Sequence, residues 1–284
     1  MANFLSREER LSVLHLLVEG VSLRSITRLT GIHRTTIANL MLRAGSAVRS
    51  LMDRRMHNLH LKHLQCDEIW TFCLKKQGRL RPHEVGNQTI GDQYLFIALD
   101  EETKLIPSFV IGKRTAENAQ MLMEDLSERI VTPDLLEPAP RPMISTDGFN
   151  AYPDAVELAF ATTVDYGVII KDYRQVEQPG RYGPPEMVSA ARQVITGAFD
   201  KREICTSHVE RHNLSIRTFM RRFTRLALGF SKKLENLAAA TALYIGHYNY
   251  CRYHGSIRAT PAMAARIAGH IWTLEELLQT AEML

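Results

Sequence analysis

Cys66-Asp67-Glu68-Ile69-Trp70-Thr71-Phe72-Cys73-Leu74 is a run of β-branched, aromatic and thiol side chains into which two acids are set. That composition suits a strand. A carboxylate buried in a strand carries a high desolvation cost unless hydrogen bonds or a cation meet it, so a metal ion is the natural partner for Asp67. Two more acids occupy comparable settings. Asp147 ends the apolar stretch Met143-Ile144-Ser145-Thr146 just before Gly148, and Glu210 opens a strongly basic helix.

A chain of 284 residues suggests one or two domains with a sizeable core. Its apolar runs, such as Leu95-Phe96-Ile97-Ala98-Leu99, fall far short of the ~20 residues of a membrane helix, and the N-terminus lacks a signal-peptide pattern. A cytoplasmic protein without membrane association is expected. Cysteines 66, 73, 205 and 251 form no CxxC pair and show no zinc-ligand spacing, which favours reduced, mostly buried thiols. The net charge of +4 is uneven: residues 1–63 carry ten Lys/Arg against four Asp/Glu, or +6, leaving −2 on the rest. The basic front end points to an anionic partner, most commonly nucleic acid.

Ser6-Arg7-Glu8-Glu9 reads as a capping box, followed by Leu11, Leu14 and Val18 on one helical face until Gly20. A second helix starts from Ser22 and turns Leu23, Ile26 and Leu29 inward until Thr30-Gly31-Ile32. A third follows over residues 33–40, burying Ile37 and Leu40. Gly31 suits the turn because it tolerates φ > 0. The result is a helix-turn-helix pattern, whose recognition candidates are His33, Arg34, Thr35, Thr36 and Asn39. Residues 44–62 read as a helical connector carrying Arg49, Arg54, Arg55 and Lys62, with Arg49 expected to meet DNA without regard to sequence.

Strands are expected at about 65–75, 94–99 and 105–111, the last two as a hairpin across Asp100-Glu101-Glu102-Thr103-Lys104. A helix capped by Thr115 repeats Ala119, Leu122, Met123, Leu126 and Ile130 at helical spacing. A strand at 143–146, a helix at 152–160 and a strand at 164–170 follow, and then the basic helix after Thr206. Residues 174–204, with the Pro/Gly-rich stretch 179–185, read as an insertion before that helix. A long helix from Leu234 to Tyr250 and two short terminal helices close the chain. The expected class is mixed α/β (α+β): a helix-turn-helix domain and connector over 1–60, a ribonuclease-H-like core over 61–252, and a helical tail over 253–284.

In that succession Asp67 lies on the first strand, Asp147 just past the fourth and Glu210 on the following helix. Cleavage and strand transfer of DNA need an activated oxygen nucleophile, a stabilised leaving 3′-oxygen and charge neutralisation at phosphorus. Two Mg²⁺ ions about 4 Å apart supply all three, and Mn²⁺ suits the same oxygen donors. Beyond Glu210, the next 23 residues hold Arg211, Arg217, Arg221, Arg222, Arg225, Lys232 and Lys233 and no acid, a stripe suited to gripping phosphates. Glu68 points to the opposite face of a regular strand, Asp100 opens a hairpin turn, and Asp92 and Asp165 lie near strand starts, so none of the four is taken as a ligand. His208 and His212 flank Glu210 by two residues and do not share its helical face.

Cys66-Asp67-Glu68-Ile69-Trp70, the run from Ser145 to Tyr152, the run from Val209 to Arg217, and Phe230-Ser231-Lys232-Lys233-Leu234-Glu235 resemble blocks of bacterial insertion-sequence transposases of the "insertion sequence one" type. The resemblance spans about residues 64–250. It implies a DDE transposase whose N-terminal region binds the element's terminal inverted repeats, acting at the nucleoid as a homodimer or larger assembly on double-stranded DNA. It also implies Asp67, Asp147 and Glu210 as the Mg²⁺-binding triad and Arg217 as the basic position after the glutamate. Arg211, Asn213 and Arg221 are expected on the DNA side of that helix. The best-known members have a much shorter interval than the 62 residues between Asp147 and Glu210; the 174–204 insertion accounts for the excess.

Overall fold

The computed structural model describes residues 5–133, 140–174 and 186–283. Among them the protein is a mixed α/β structure with one six-stranded sheet and nine α-helices. The sheet comprises β1 (His63–Cys73), β2 (Gly91–Asp100), β3 (Ser108–Gly112), β4 (Met143–Asp147), β5 (Asp165–Arg174) and β6 (Glu186–Thr196) in the order β3-β2-β1-β4-β5-β6. The first three strands pair antiparallel, β4 and β5 run parallel to β1, and β6 returns antiparallel to β5. Parallel neighbours need crossovers; α4 (Ala116–Ser127) and α5 (Tyr152–Phe160) provide them and pack on each other.

The expected strands are present with shifted ends. β3 begins at Ser108 rather than Leu105 because Pro107 has no N–H to give a ladder, and the backbone of Ile106 pairs instead with the buried side chain of Asn249. Asp100 closes the hairpin turn, accepting from the N–H and hydroxyl of Thr103. Within the expected insertion, β6 adds to the sheet beside β5 as an outer strand that is almost wholly exposed. The Pro/Gly-rich stretch 179–185 lies outside the described residues.

At the N-terminus, α1 (Arg7–Val18) carries the capping box in full, and α2 (Leu23–Thr30) is capped by Ser22 and ended by Gly31 at φ 73°. The third expected helix and the connector as far as Arg55 are one element, α3 (Arg34–Arg55), because no proline separates them; residues 56–62 of the expected connector are not helical. This helix packs along α7 (Leu234–Tyr250), and the short α9 (Leu274–Thr280) packs on both. Gly45 and Gly246 make that crossing close: a Cβ on Gly45 would stand 2.1 Å from the carbonyl oxygen of Ala239, and one on Gly246 2.2 Å from Val48 Cγ1. Helices α1 to α3 therefore share one continuous apolar core with α7, α9 and the sheet. Trp272 stacks on Tyr250 at 4.5 Å and receives Arg55 at 5.2 Å, tying the tail to α3. The short α8 (Pro261–Ala264) lies between them in sequence. No described helix is long and apolar enough to cross a membrane.

Candidate metal centre

Parallel pairing of β1 with β4 ends at Cys66 opposite Thr146, so the next residues, Asp67 and Asp147, emerge side by side. Asp67 Oδ1 accepts from the Glu68 N–H at 2.8 Å, and Oδ2 accepts from Asn213 Nδ2 at 2.6 Å. Asp147 Oδ1 accepts from the Phe149 N–H at 3.0 Å in the turn after β4. Glu68 joins them: one carboxylate oxygen from each of Asp67, Glu68 and Asp147 lies within 4.8 Å of the others. This corrects the expectation that strand alternation removes Glu68 from the site. Its physical origin is that β4 stops pairing with β1 at this point, so no continuous sheet stands between the two carboxylates. The end of a neighbouring strand leaves no mark in the sequence of β1.

Three acids in so small a space repel one another. Burial first, and the Asp147 charge second, push the Asp67 carboxyl up from 3.8 to about 7. Burial and the same neighbour raise Glu68 to about 6, against the opposing pull of the Tyr152 hydroxyl and of Arg114. The Glu68 side chain is 4% exposed; it pairs with Arg114 at 3.2 Å, and its other oxygen is buried with the Tyr152 hydroxyl as its polar neighbour. Arg114 in turn lies 3.8 Å from Asp147 and stacks 4.1 Å over the Phe149 ring. An all-oxygen donor set and two carboxyls reluctant to ionise together fit a hard divalent cation such as Mg²⁺ or Mn²⁺.

Glu210 is carried by α6 (Ser207–Phe219), whose start is fixed on β1 by a buried side chain: Gln65 Oε1 accepts from the N–H groups of His208 and Val209 at 2.9 and 3.2 Å. That contact satisfies two of the four orphan donors of the helix and sets its position against the sheet. The Glu210 carboxylate is half-exposed, paired with Lys171 of β5 and accepting from the Thr206 hydroxyl. It stands apart from the three-carboxylate cluster, but its charge adds to the upward push on Asp67. Sequence reasoning missed Gln65, Lys171 and Arg114, whose roles depend wholly on register and crossover.

The basic stripe is not continuous on one helix. Helix α6 ends at Phe219, and Arg221 lies in the 3₁₀ turn Arg221–Phe223, exposed. Asn213, expected towards DNA, is buried against Asp67. Arg217 is half-buried and donates to the Phe223 carbonyl at 2.9 Å, where it feels both Asp67 and Arg225. Arg222 is enclosed, donating to Ser231 Oγ at 3.0 Å, and its burial brings the guanidinium down to about 10. Arg211 remains exposed. His212 is buried at 4.4 Å from the Tyr248 ring, and its burial lowers the imidazole to about 3, so it packs as a neutral ring.

On α3, His33, Arg34, Thr35, Thr36 and Asn39 are all exposed while Ile37 and Leu40 are buried, and His33 Nδ1 caps the helix by accepting from the Thr35 N–H at 3.3 Å. Arg49, expected to meet phosphate, instead stacks 4.5 Å over Phe109 and donates to its carbonyl at 3.0 Å. No protein-family model matches the chain, and no curated protein matches it. The site is therefore read from its own chemistry.

That chemistry carries a testable sign. A carboxyl with a raised folded pKa binds more protons folded than unfolded, so its ionisation costs stability as pH rises from 3.8 towards about 7. A cation that binds the ionised cluster offsets this cost. Millimolar Mg²⁺ should raise Tm by several degrees near pH 8 and hardly at all near pH 5, where protons compete for Asp67. Differential scanning fluorimetry across that range checks it; a Mg²⁺ effect that is absent or independent of pH removes the metal site.

Proposed function

We propose that the protein is a DNA transposase that binds terminal inverted repeats and performs Mg²⁺-dependent strand cleavage and 3′-hydroxyl strand transfer. The observation that carries this reading is the juxtaposition of Asp67 and Asp147 at the ends of adjacent parallel strands, with Glu210 on the helix that Gln65 fixes against the first of them. Three antiparallel strands followed by two parallel ones, with two helical crossovers, support assignment of the core as ribonuclease-H-like. Helices α2 and α3, joined across Gly31-Ile32-His33, support the helix-turn-helix reading of the N-terminus.

Asp67, Asp147 and Glu210 would hold the ions, with Glu68 within reach as a fourth carboxylate. When bound, the ions activate the attacking oxygen and neutralise charge at phosphorus. The chain's own contribution is orientation. Asn213 and the Glu68 N–H hold both oxygens of Asp67, the Phe149 N–H holds Asp147, and Lys171 pairs with Glu210. Exposed Arg211 and Arg221 offer phosphate contacts. Since two element ends must be held together, a homodimer or larger assembly is expected.

One observation favours a second reading. Lys171 and Arg114 already pair with Glu210 and Glu68, as cations would in a transposase-derived regulator that binds DNA without cutting. A labelled duplex from the DNA flanking the gene, pre-nicked to expose a 3′-hydroxyl and mixed with a target plasmid and Mg²⁺, separates the two. Joining supports the transposase, whereas sequence-specific binding without joining under Mg²⁺ or Mn²⁺ supports the regulator.

The recognition surface has its own test in the full chain. Arg34→Ala or Asn39→Ala should cost about 1–3 kcal/mol of specific binding and relax base preference at one position each. Footprinting with both variants checks it; unchanged specificity would mean that another surface reads the bases.

A further inference from the structure

Between the 3₁₀ turn and α7 the chain makes a loop over residues 224–229 that is clamped at its base and bare at its tip. The base is built from both sides. Phe223 is buried, the Thr71 hydroxyl donates to the Arg222 carbonyl, and Arg222 Nε donates to Ser231 Oγ at 3.0 Å. On the returning side the Leu74 N–H donates to the Ser231 carbonyl at 2.8 Å, and Phe230 stacks on Phe72 at 4.6 Å. Gly229 permits the closure, since a Cβ there would lie 2.4 Å from the Arg221 carbonyl oxygen. At the tip, Leu226 and Leu228 are 95% and 97% exposed, and Leu226 holds a left-handed φ of 56°.

Single exposed apolar side chains are ordinary, but two leucines held almost fully in water at the tip of one anchored loop and ringed by cations offer a contact point. The surroundings specify for what. Arg221 and Arg225 are exposed beside the tip, Lys232 and Lys233 are exposed just past its base, and no acid occurs between Glu210 and Glu235. A protein partner is better matched by a broad apolar patch depleted of charge. A narrow apolar tip ringed by cations matches duplex DNA, into whose base steps leucine wedges enter while Lys and Arg hold the flanking phosphates. The base of the loop lies beside the elements that carry the acids: Thr71, four residues past Asp67 on β1, donates to the Arg222 carbonyl, and Arg217 of α6 donates to the Phe223 carbonyl.

We propose that Leu226 and Leu228 form a wedge that enters a base step of duplex DNA, unstacking it and bending the helix beside the metal centre, while Arg221, Arg225, Lys232 and Lys233 grip the phosphates on either side. The proposal rests on the DNA-processing reading. Its physical sense is that bending opens the phosphodiester towards the carboxylates, at an energy cost lowest at flexible pyrimidine–purine steps.

The test uses the full chain and the double variant L226A/L228A, which should keep the wild-type Tm because neither side chain packs on the core. Labelled duplexes from the flanking DNA are probed for unstacked thymines with permanganate and for bending by end-to-end fluorescence transfer. The wild type should produce a localised permanganate signal at a TA step and a bend. The double variant should lose both while its affinity falls by less than about tenfold, since the phosphate contacts persist. Joining by the variant should recover with a flanking duplex that carries a mismatch at that step. Wild-type binding without unstacking or bending overturns the wedge and leaves the transposase reading standing. A double variant that still bends DNA, or that instead loses self-association in sedimentation, overturns it too, the latter by assigning the tip to a second copy. Failure of the wild type to bind any DNA removes both readings together.

Discussion

Asp67→Asn and Asp147→Asn should each lower DNA cleavage and joining by at least about 10³-fold while leaving binding of the flanking duplex intact, because charge stabilisation at a preorganised site is usually the largest catalytic contribution. Glu210→Gln should fall in the same range. The residues act as one unit, so the double substitution of Asp67 and Asp147 should be hardly worse than either single one. Removing a charge from a crowded, buried cluster also relieves repulsion. Without metal, Asp67→Asn should therefore raise Tm near pH 8, where the wild-type carboxylate is forced to ionise. Glu68→Gln separates the roles within the cluster: it should reduce activity by a smaller factor if Glu68 only supports Asp67 and Arg114, and by the full factor if it holds metal. The measurement is joining of a pre-nicked duplex to plasmid beside a binding assay for each variant. Loss of binding in step with activity would mean that the substitutions disturb the fold, and retention of joining by the aspartate variants would end the transposase reading.

The second large effect is on stability. Helix propensity alone says that Gly45→Ala should stabilise α3 by ~1 kcal/mol. The structure says the opposite, because the added methyl would stand 2.1 Å from the Ala239 carbonyl oxygen, where backbone of α7 rather than a movable side chain must give way. Gly45→Val should cost roughly 3 kcal/mol or more, lowering Tm by about 10 °C in a chain of this size. Since α3 carries the proposed recognition residues at one end and packs on α7 and α9 along the rest, DNA binding and joining should fail together as the variant is warmed. Thermal unfolding followed by circular dichroism decides the sign. A more stable Gly45→Ala protein would show that α3 and α7 do not cross at backbone contact.

Local signals determine a large part of this protein without any tertiary contact. The capping box at Ser6 and Glu9, the Gly31 stop, the hairpin around Asp100, the apolar periodicity of α4 and the placement of Asp67 and Asp147 at strand positions all follow from interactions within a few residues. Such interactions are written in the sequence because both partners lie in the same short window. The same holds for the exposed row His33, Arg34, Thr35, Thr36 and Asn39, fixed by the burial of Ile37 and Leu40 at helical spacing.

Tertiary structure alone decided the rest, each time through a partner far along the chain. Glu68 enters the acidic cluster because β4 parts from β1 after Thr146, and Glu210 turns to Lys171 because β5 lies beside α6. Asn213 turns inward to Asp67 and Arg49 to Phe109. A residue's type and spacing set what it can bond, but these bonds span 39 to 146 residues of sequence. Over such distances the strand order and the helix crossings, not the local pattern, select which of several chemically suitable partners a carboxylate or guanidinium meets.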